Sequence, residues 1–384
     1  MSDIHFETET DGHAPAWVFV SLMLLIVGAI AFLGLRGAED DVATDIPATS
    51  EGDGDLPDTP DAVAFTGTEE DSAPVEAEPT PDDVNTTIET VAPSSTSTAP
   101  NPPPASAPDL YVDPNNSAAT WAAKNSSDPR AQAIADAIGS KPIAKWFGDW
   151  NFNVRKDVAD YVSQASAAGA VPIMVVYNIP DRDCGQHSAG GATSFSAYQQ
   201  WIDEFAAGLG NGQAFIVLEP DSIALNGCAG SDRNQALANA ISTIKAACAG
   251  CQVYLDAGHS NWVGPSDMAA RLTDAGVLQA DGFFTNASNY YPTANEAAFG
   301  QQVLSALGNP AGIGQVIDVS RNGNGSDGEW CDPAGRKVGA DPTVNTGSSS
   351  VHAHLWIKVP GEADGCIAGA GEFVPQRAYE LAIG

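Results

Sequence analysis

The sequence predicts an α/β fold: a closed or nearly closed parallel β/α barrel, with a doubly wound open sheet as the competing arrangement. Two features carry this expectation. Short, continuously apolar segments of strand length recur through the C-terminal part of the chain, as strands buried on both faces require. Between them lie longer Ala-rich stretches that close on Gly, such as "RKDVADYVSQASAAG" and "SAYQQWIDEFAAGLG", the usual ending of a helix.

In chain order, the predicted strands cover residues 142–147, 172–179, 215–219, 252–257, 282–288, 315–320 and 352–359. Each is apolar in its body and polar at its end: "YNIPDRDC" follows the second, "EPDS" the third, "DAGHSNW" the fourth, "NYY" the fifth, "SRNGNG" the sixth and "KVPGEADGC" the seventh. In a parallel barrel all C-terminal strand ends lie on one face, where binding and catalytic groups are built. The tips therefore converge on one rim.

The residues before this unit differ in kind. Residues 1–15 form a short polar segment without Lys or Arg, and an apolar run of 20 residues follows at 16–35. That length suits a membrane-crossing helix of roughly 20 residues. We read segment 16–36 as a transmembrane signal anchor, with a cleavable signal peptide as the alternative; the missing basic n-region favours the anchor. Residues 37–108 carry no Lys or Arg and are rich in Asp, Glu, Pro, Ser and Thr. Such a segment cannot bury enough apolar surface to fold, and it reads as a disordered linker. The folded unit is residues 109–384, and it holds all six Cys. An even count in an exported domain suggests disulfides. "CAGC" at 248–251 reads as a local bridge or inert thiols rather than a redox pair. A net charge of −33 argues against nucleic acid as a partner.

The acids at the tips are the informative residues. Pro220 ends the third strand, so Asp221 is expected at the rim, with Glu219 deeper on the same strand face. A carboxyl near apolar surface and other acids stays protonated, the state a general acid needs. The competing reading is an Asp that merely caps the following helix. Asp183, Asp256 and Asp364 follow other strands, and carboxylates facing each other across a sugar-sized gap are the apparatus of glycoside hydrolysis. Trp146, Trp262 and Trp330 lie beside polar tips, suited to sugar faces, while Lys358 and Arg321 can donate to hydroxyls or pair with acids. Asp256 with His259, and His187, His352 and His354 elsewhere, form no standard metal-binding spacing. No phosphate loop and no G-x-S-x-G elbow occur. No metal or cofactor is expected.

These blocks resemble glycoside hydrolase family 6. "VVYNIPDRDC" and "IVLEPDSIAL" look like its two signature segments, and "YLDAGHSNW", "SRNGNG", "EWCDP" and "WIKVPGEADG" like its later ones, over about Tyr111 to Ile383. The overall likeness is to the bacterial endo-β-1,4-glucanases of that family. The resemblance implies a distorted seven-stranded parallel β/α barrel and an inverting cellulase that needs no metal. By motif, Asp221 would be the general acid, Asp183 would support its protonation, and Asp364 would be the base. Asp256 would shape the electrostatics or bind substrate. Tyr177 would press on the distorted sugar. Trp146, Trp262 and Trp330 would line subsites; His259, Asn289, Lys358 and Glu362 would be ligands to the glucan. The pattern also implies bridges Cys184–Cys228 and Cys331–Cys366. It departs at Ala189, where many members carry a serine that places water; Ser188 is adjacent but would point differently. Cys366 follows Asp364 almost at once, so the loop closed by Cys331 and Cys366 has little excess length, and an open groove with endo cutting is expected. A membrane-tethered glucan-binding protein with weak or no turnover is the alternative function, and a metal-dependent barrel enzyme a third. In every case the site is expected outside the cytoplasm, anchored at the cell surface or secreted.

Overall fold

The computed structural model describes residues 108–225 and 230–384, all within one compact unit, Thr96–Gly384. Segment 16–36, residues 37–107 of the linker and Cys228 lie outside the described residues. Among the described residues no helix is long and apolar enough to cross a membrane.

Seven strands form one parallel sheet in sequential order: β1 Lys145–Gly148, β2 Ile173–Tyr177, β3 Gln213–Leu218, β4 Gly250–Asp256, β5 Gly282–Thr285, β6 Gly314–Asp318 and β7 Val351–Leu355. Helices α1 (Ser117–Lys124) and α2 (Ala131–Ile134) precede β1. The crossovers are α3 (Val154–Ala167), α4 (Phe195–Leu209), α5 (Ser231–Ala247), α6 (Pro265–Asp274) and α7 (Thr293–Ala306), and α8 (Pro375–Ile383) ends the chain. Side-chain caps start several of them: Asn153 accepts from Lys156 N–H before α3, and Ser194 accepts from Ala197 N–H before α4. Each cap satisfies a backbone donor that has no partner within the helix.

The apolar strands alternate after all, but between two buried faces. Val175, Val217, Tyr254, Phe284, Val316 and Ala353 point to one cluster inside the curled sheet. Their neighbours Met174, Val176, Ile216, Leu218, Val253, Leu255 and Phe283 face the helices. Successive strand residues point to opposite faces, so both positions must be apolar.

The sheet curls without closing. β1 and β7 share no ladder among the described residues; the seam is bridged by Ala144 N–H to the Trp356 carbonyl at 2.9 Å and Trp146 Nε1–H to the Ile357 carbonyl at 2.9 Å. All seven expected strands exist, and all but β1 end earlier than expected. Glu219, expected as the last residue of the third strand, lies beyond β3 with φ 52°. Residues 286–288 leave β5 because Asn286 and Ser288 also have positive φ.

Cys248 and Cys251 form a disulfide between the end of α5 and the start of β4, and both are buried. Cys331 and Cys366 form a second. Cys184 is also disulfide-bonded.

Ile216 is fully buried against the helical layer. Ile216→Ala is expected to destabilise the unit by about 2–5 kcal/mol, read as a lower urea midpoint at an unchanged m-value.

Candidate active site

The site begins with the way β3 ends. Its last ladder bond runs from Glu219 N–H to the Val176 carbonyl at 2.9 Å. Pro220 has no donor to continue, and the residues on either side of it, Glu219 and Asp221, take φ of 52° and 69°. Left-handed backbone at such residues costs on the order of 1 kcal/mol each, so other contacts must hold the turn. The Glu219 carboxylate supplies one, accepting from Asn178 N–H at 3.0 Å and Ile179 N–H at 3.1 Å at the tip of β2. Asp256 supplies another from the end of β4, accepting from Ile223 and Ala224 N–H at 3.1 and 2.9 Å and from Gly258 N–H at 2.9 Å. Two buried acids thus hold the turn around Asp221: Glu219 fastens it to the tip of β2, and Asp256 fastens it to the end of β4.

This corrects one expectation. Glu219 is deeper than Asp221 but does not share its face, because two-residue alternation lapses once the backbone turns left-handed. Burial pushes Glu219 up to about 7, against the pull of its backbone donors. Asp256 is also raised by burial, and it stands behind the cleft wall.

Asp221, Asp183 and Asp364 line one cleft of about 1100 Å3, above the roughly 300–1,000 Å3 of small-molecule pockets. Burial pushes the Asp221 carboxyl well above the usual carboxylate range; Asp256, Asp183 and Asp364 add to this and Lys358 opposes it. Asp364 behaves in the opposite way. Burial would raise it, but Arg321 and Lys358 outweigh burial and hold it at about 2. Its Oδ2 accepts from Arg321 at 2.9 Å, Tyr290 Oη at 3.1 Å and Asp332 N–H at 3.2 Å, and Lys358 Nζ lies 3.2 Å from Oδ1. Burial and neighbouring acids raise one carboxyl while two cations hold another down in the same space.

Asp183 sits in a loop where residues 181, 183 and 184 all have positive φ, and its Oδ2 accepts from Ser188 N–H at 2.8 Å. Arg182 anchors that loop: it donates to the Tyr177 carbonyl at 2.7 Å and the Ser188 carbonyl at 2.8 Å, and pairs with Asp149 at 3.1 Å. Its guanidinium also covers the Tyr177 ring at 4.7 Å. Trp146 meets that ring edge-on at 5.0 Å. Ser188 and Ala189 lie side by side on the cleft wall with Tyr177.

The remaining expected residues also line the cleft: Trp146, Trp262, His259, Asn289, Trp330, Lys358 and Glu362. His259 stacks on Tyr291 at 4.4 Å, and burial lowers it to about 4, a neutral imidazole at ordinary pH. Glu362 accepts from Ser117 Oγ at 2.8 Å. Trp262, Trp330 and Trp150 are 38, 44 and 47% exposed. Sequence reasoning missed Trp150, whose ring lies under Arg182 at 5.3 Å; "GDWNF" after β1 was its available signal. It also missed Asp318 and Asp332. Asp318 accepts from Ser320, Ile357 and Lys358 N–H at 2.9, 3.2 and 3.0 Å. Asp332 accepts from Asp364, Cys366 and Ile367 N–H at 2.9, 3.0 and 3.2 Å. The one cluster with metal-ligand spacing among the described residues is His187 with Cys331 and Cys366. Those sulfurs are bonded to each other, so they offer no thiolate.

A family model described as "Glycosyl hydrolases family 6" matches residues 105–377. The chain belongs to this family. It is 49% identical over 282 residues to endoglucanase A of Thermobispora bispora, covering 71% of this chain and 62% of that protein. It is 48% identical over 272 residues to endoglucanase 1 of a Streptomyces species, covering 69% of this chain and 75% of that one. Among solved structures, endoglucanase Cel6 of Mycobacterium tuberculosis, in complex with methyl-cellobiosyl-4-deoxy-4-thio-β-D-cellobioside, is similar with a TM-score of 0.68 and 38% identity. That match covers 72% of this chain and 97% of the other. As a family 6 member the chain is a glycoside hydrolase, on the curled seven-stranded parallel sheet described above.

The two cleft carboxyls should affect stability in opposite directions. Asp221 binds its proton more tightly when folded, so ionising it costs stability. That cost is absent below the ordinary carboxylate pKa, near 4, and grows as pH rises. Asp221→Asn should therefore raise the melting temperature at pH 7 and leave it unchanged at pH 3. Asp364 is depressed, so its stabilisation is present at neutral pH and lost as pH falls toward 2. Asp364→Asn leaves buried Arg321 without its counter-ion and should cost roughly 3 kcal/mol at pH 7, measured by thermal and urea unfolding.

Proposed function

We propose that this family 6 hydrolase cuts β-1,4-glucosidic bonds within glucan chains and inverts the anomeric configuration. The observation that carries the reading is that Asp221 and Asp364 line one cleft in opposed surroundings, the first raised by burial and neighbouring acids and the second held down by Arg321 and Lys358. Pairs of titratable groups pushed apart by their surroundings mark acid and base roles. Asp221 donates its proton to the glycosidic oxygen as the bond to the anomeric carbon breaks, and water adds from the opposite face of the ring. The water's proton passes towards Asp364. Tyr177 packs where the distorted sugar would sit, and Lys358 and Glu362 offer a donor and an acceptor to its hydroxyls.

Internal cutting is supported by the solvent-facing indoles of Trp150, Trp262 and Trp330, which a roof over the cleft would bury, and by the endoglucanase names of the relatives. The disulfides support a site outside the cytoplasm. Segment 16–36 would then serve as its anchor or as a signal removed on export; activity found wholly in the medium on a chain lacking those residues would exclude the anchor.

Proton NMR of cello-oligosaccharide digestion tests the reaction. The first product signal should be the α anomer, before mutarotation; an initial β signal would overturn the roles given to Asp221 and Asp364. Asp221→Asn should lower kcat by about 10²–10⁴-fold and leave binding of an uncleavable thio-oligosaccharide intact. On soluble cellulose derivatives, viscosity should collapse while few reducing ends are released, and a slow fall in viscosity would argue for end-wise action.

A further inference from the structure

We propose that His187 is a positioning residue that docks the Asp183 loop onto the wall carrying Asp364, and so fixes the separation of these two carboxylates across the cleft. The inference rests on the hydrolase reading above and adds to it a residue that no catalytic role had singled out.

The loop from Arg182 to Gly191 is fastened at its base. Arg182 pairs with Asp149, and Gly191 N–H donates to Asp149 Oδ2 at 3.1 Å, so both ends of the loop are tied to the segment after β1. Asp183, Ser188 and Ala189 lie between these ties. At the far side of the same loop, His187 leaves the β2 side of the cleft and meets the opposite wall. Its ring packs edge-on against Trp330 at 5.3 Å between centroids. A ring nitrogen lies within 4.8 Å of the sulfurs of Cys331 and Cys366.

The third contact is Gly365, the residue that follows Asp364. Gly365 has φ 124°, and a Cβ there would stand 2.8 Å from both Cβ and Nδ1 of His187. Only glycine permits the loop to come this close. The exposed imidazole therefore packs on the Trp330 indole and against the Gly365 backbone, with the Cys331 and Cys366 sulfurs within 4.8 Å of a ring nitrogen. That wall is itself rigid, since Asp332 accepts from the N–H groups of Asp364, Cys366 and Ile367. A loop pinned at its base and docked at its tip has little freedom to move Asp183, whereas a loop pinned only at its base can swing. Small errors in such placement are costly to the chemical step and not to binding.

The test uses the full chain with His187→Ala, His187→Phe and Gly365→Ala. Activity is followed on cello-oligosaccharides, and hydrogen exchange over residues 183–189 gives a readout independent of turnover. His187→Ala should lower kcat about tenfold or more with KM within twofold, and should speed exchange in that segment. His187→Phe, which keeps a flat ring for the contact, should restore most of kcat. Gly365→Ala should reproduce the His187→Ala defect, and the double variant should be no worse than either single one. Unchanged kcat and unchanged exchange in His187→Ala would overturn the inference while the parent's turnover leaves the hydrolase reading standing. A raised KM at constant kcat would overturn it by making His187 a sugar ligand. A parent that binds but never cleaves, with exchange still faster in His187→Ala, would sink the hydrolase reading and keep the docking contact.

Discussion

The active face of this barrel depends on buried carboxylates that accept hydrogen bonds from backbone N–H groups at the strand tips. Glu219 joins β3 to β2, Asp256 holds the turn after β3 from β4, Asp318 holds the tip of β7 from β6, and Asp332 holds the segment that carries Asp364. At each place the chain leaves regular strand geometry, and peptide donors would otherwise be buried without partners. Such donors are expensive to leave unpaired. A carboxylate accepts several at once, so one acid can fix a turn whose backbone is itself unfavourable.

The same arrangement explains why an acidic site can perform acid chemistry. Acids gathered in a desolvated place cannot all stay ionised. Those satisfied by peptide donors or by cations keep their charge more easily, and Asp364, between Arg321 and Lys358, is the strongest example. Asp221 has neither a close cation of its own nor a set of peptide donors, and it faces Asp256 and Asp183. Its carboxyl is raised by burial and by those neighbours. That shift is a property of the surrounding framework more than of its own contacts.

Substrate length follows from the walls. The cleft is lined by Trp146, Glu362, Trp262 and Trp330, and the indoles of Trp150, Trp262 and Trp330 stay open to solvent. Aromatic faces bind sugars largely through apolar and C–H contact, tolerant of sliding and register, whereas the carboxylates tolerate neither. Loose platforms and a rigid centre suit a polymer that must be gripped anywhere along its length.

The sequence by itself determined the number, order and type of the strands, because buried parallel strands demand continuous apolar runs whose ends show as abrupt polarity. It also brought Asp221, Asp183 and Asp364 to one rim, since parallel topology sends every C-terminal strand end to the same side, and its motif resemblance gave the family that the comparisons then established. Only the tertiary structure decided the rest. Asp318 and Asp332 read as ordinary loop acids until folding places peptide donors from distant segments around them. Glu219 looked like a partner of Asp221 until the left-handed turn sent its side chain to β2. Trp150 and His187 belong to loops without periodicity, and their partners lie on other strands. Local pattern records which residues must be buried; which buried acid keeps its proton is set by desolvation and by charges brought together from remote parts of the chain.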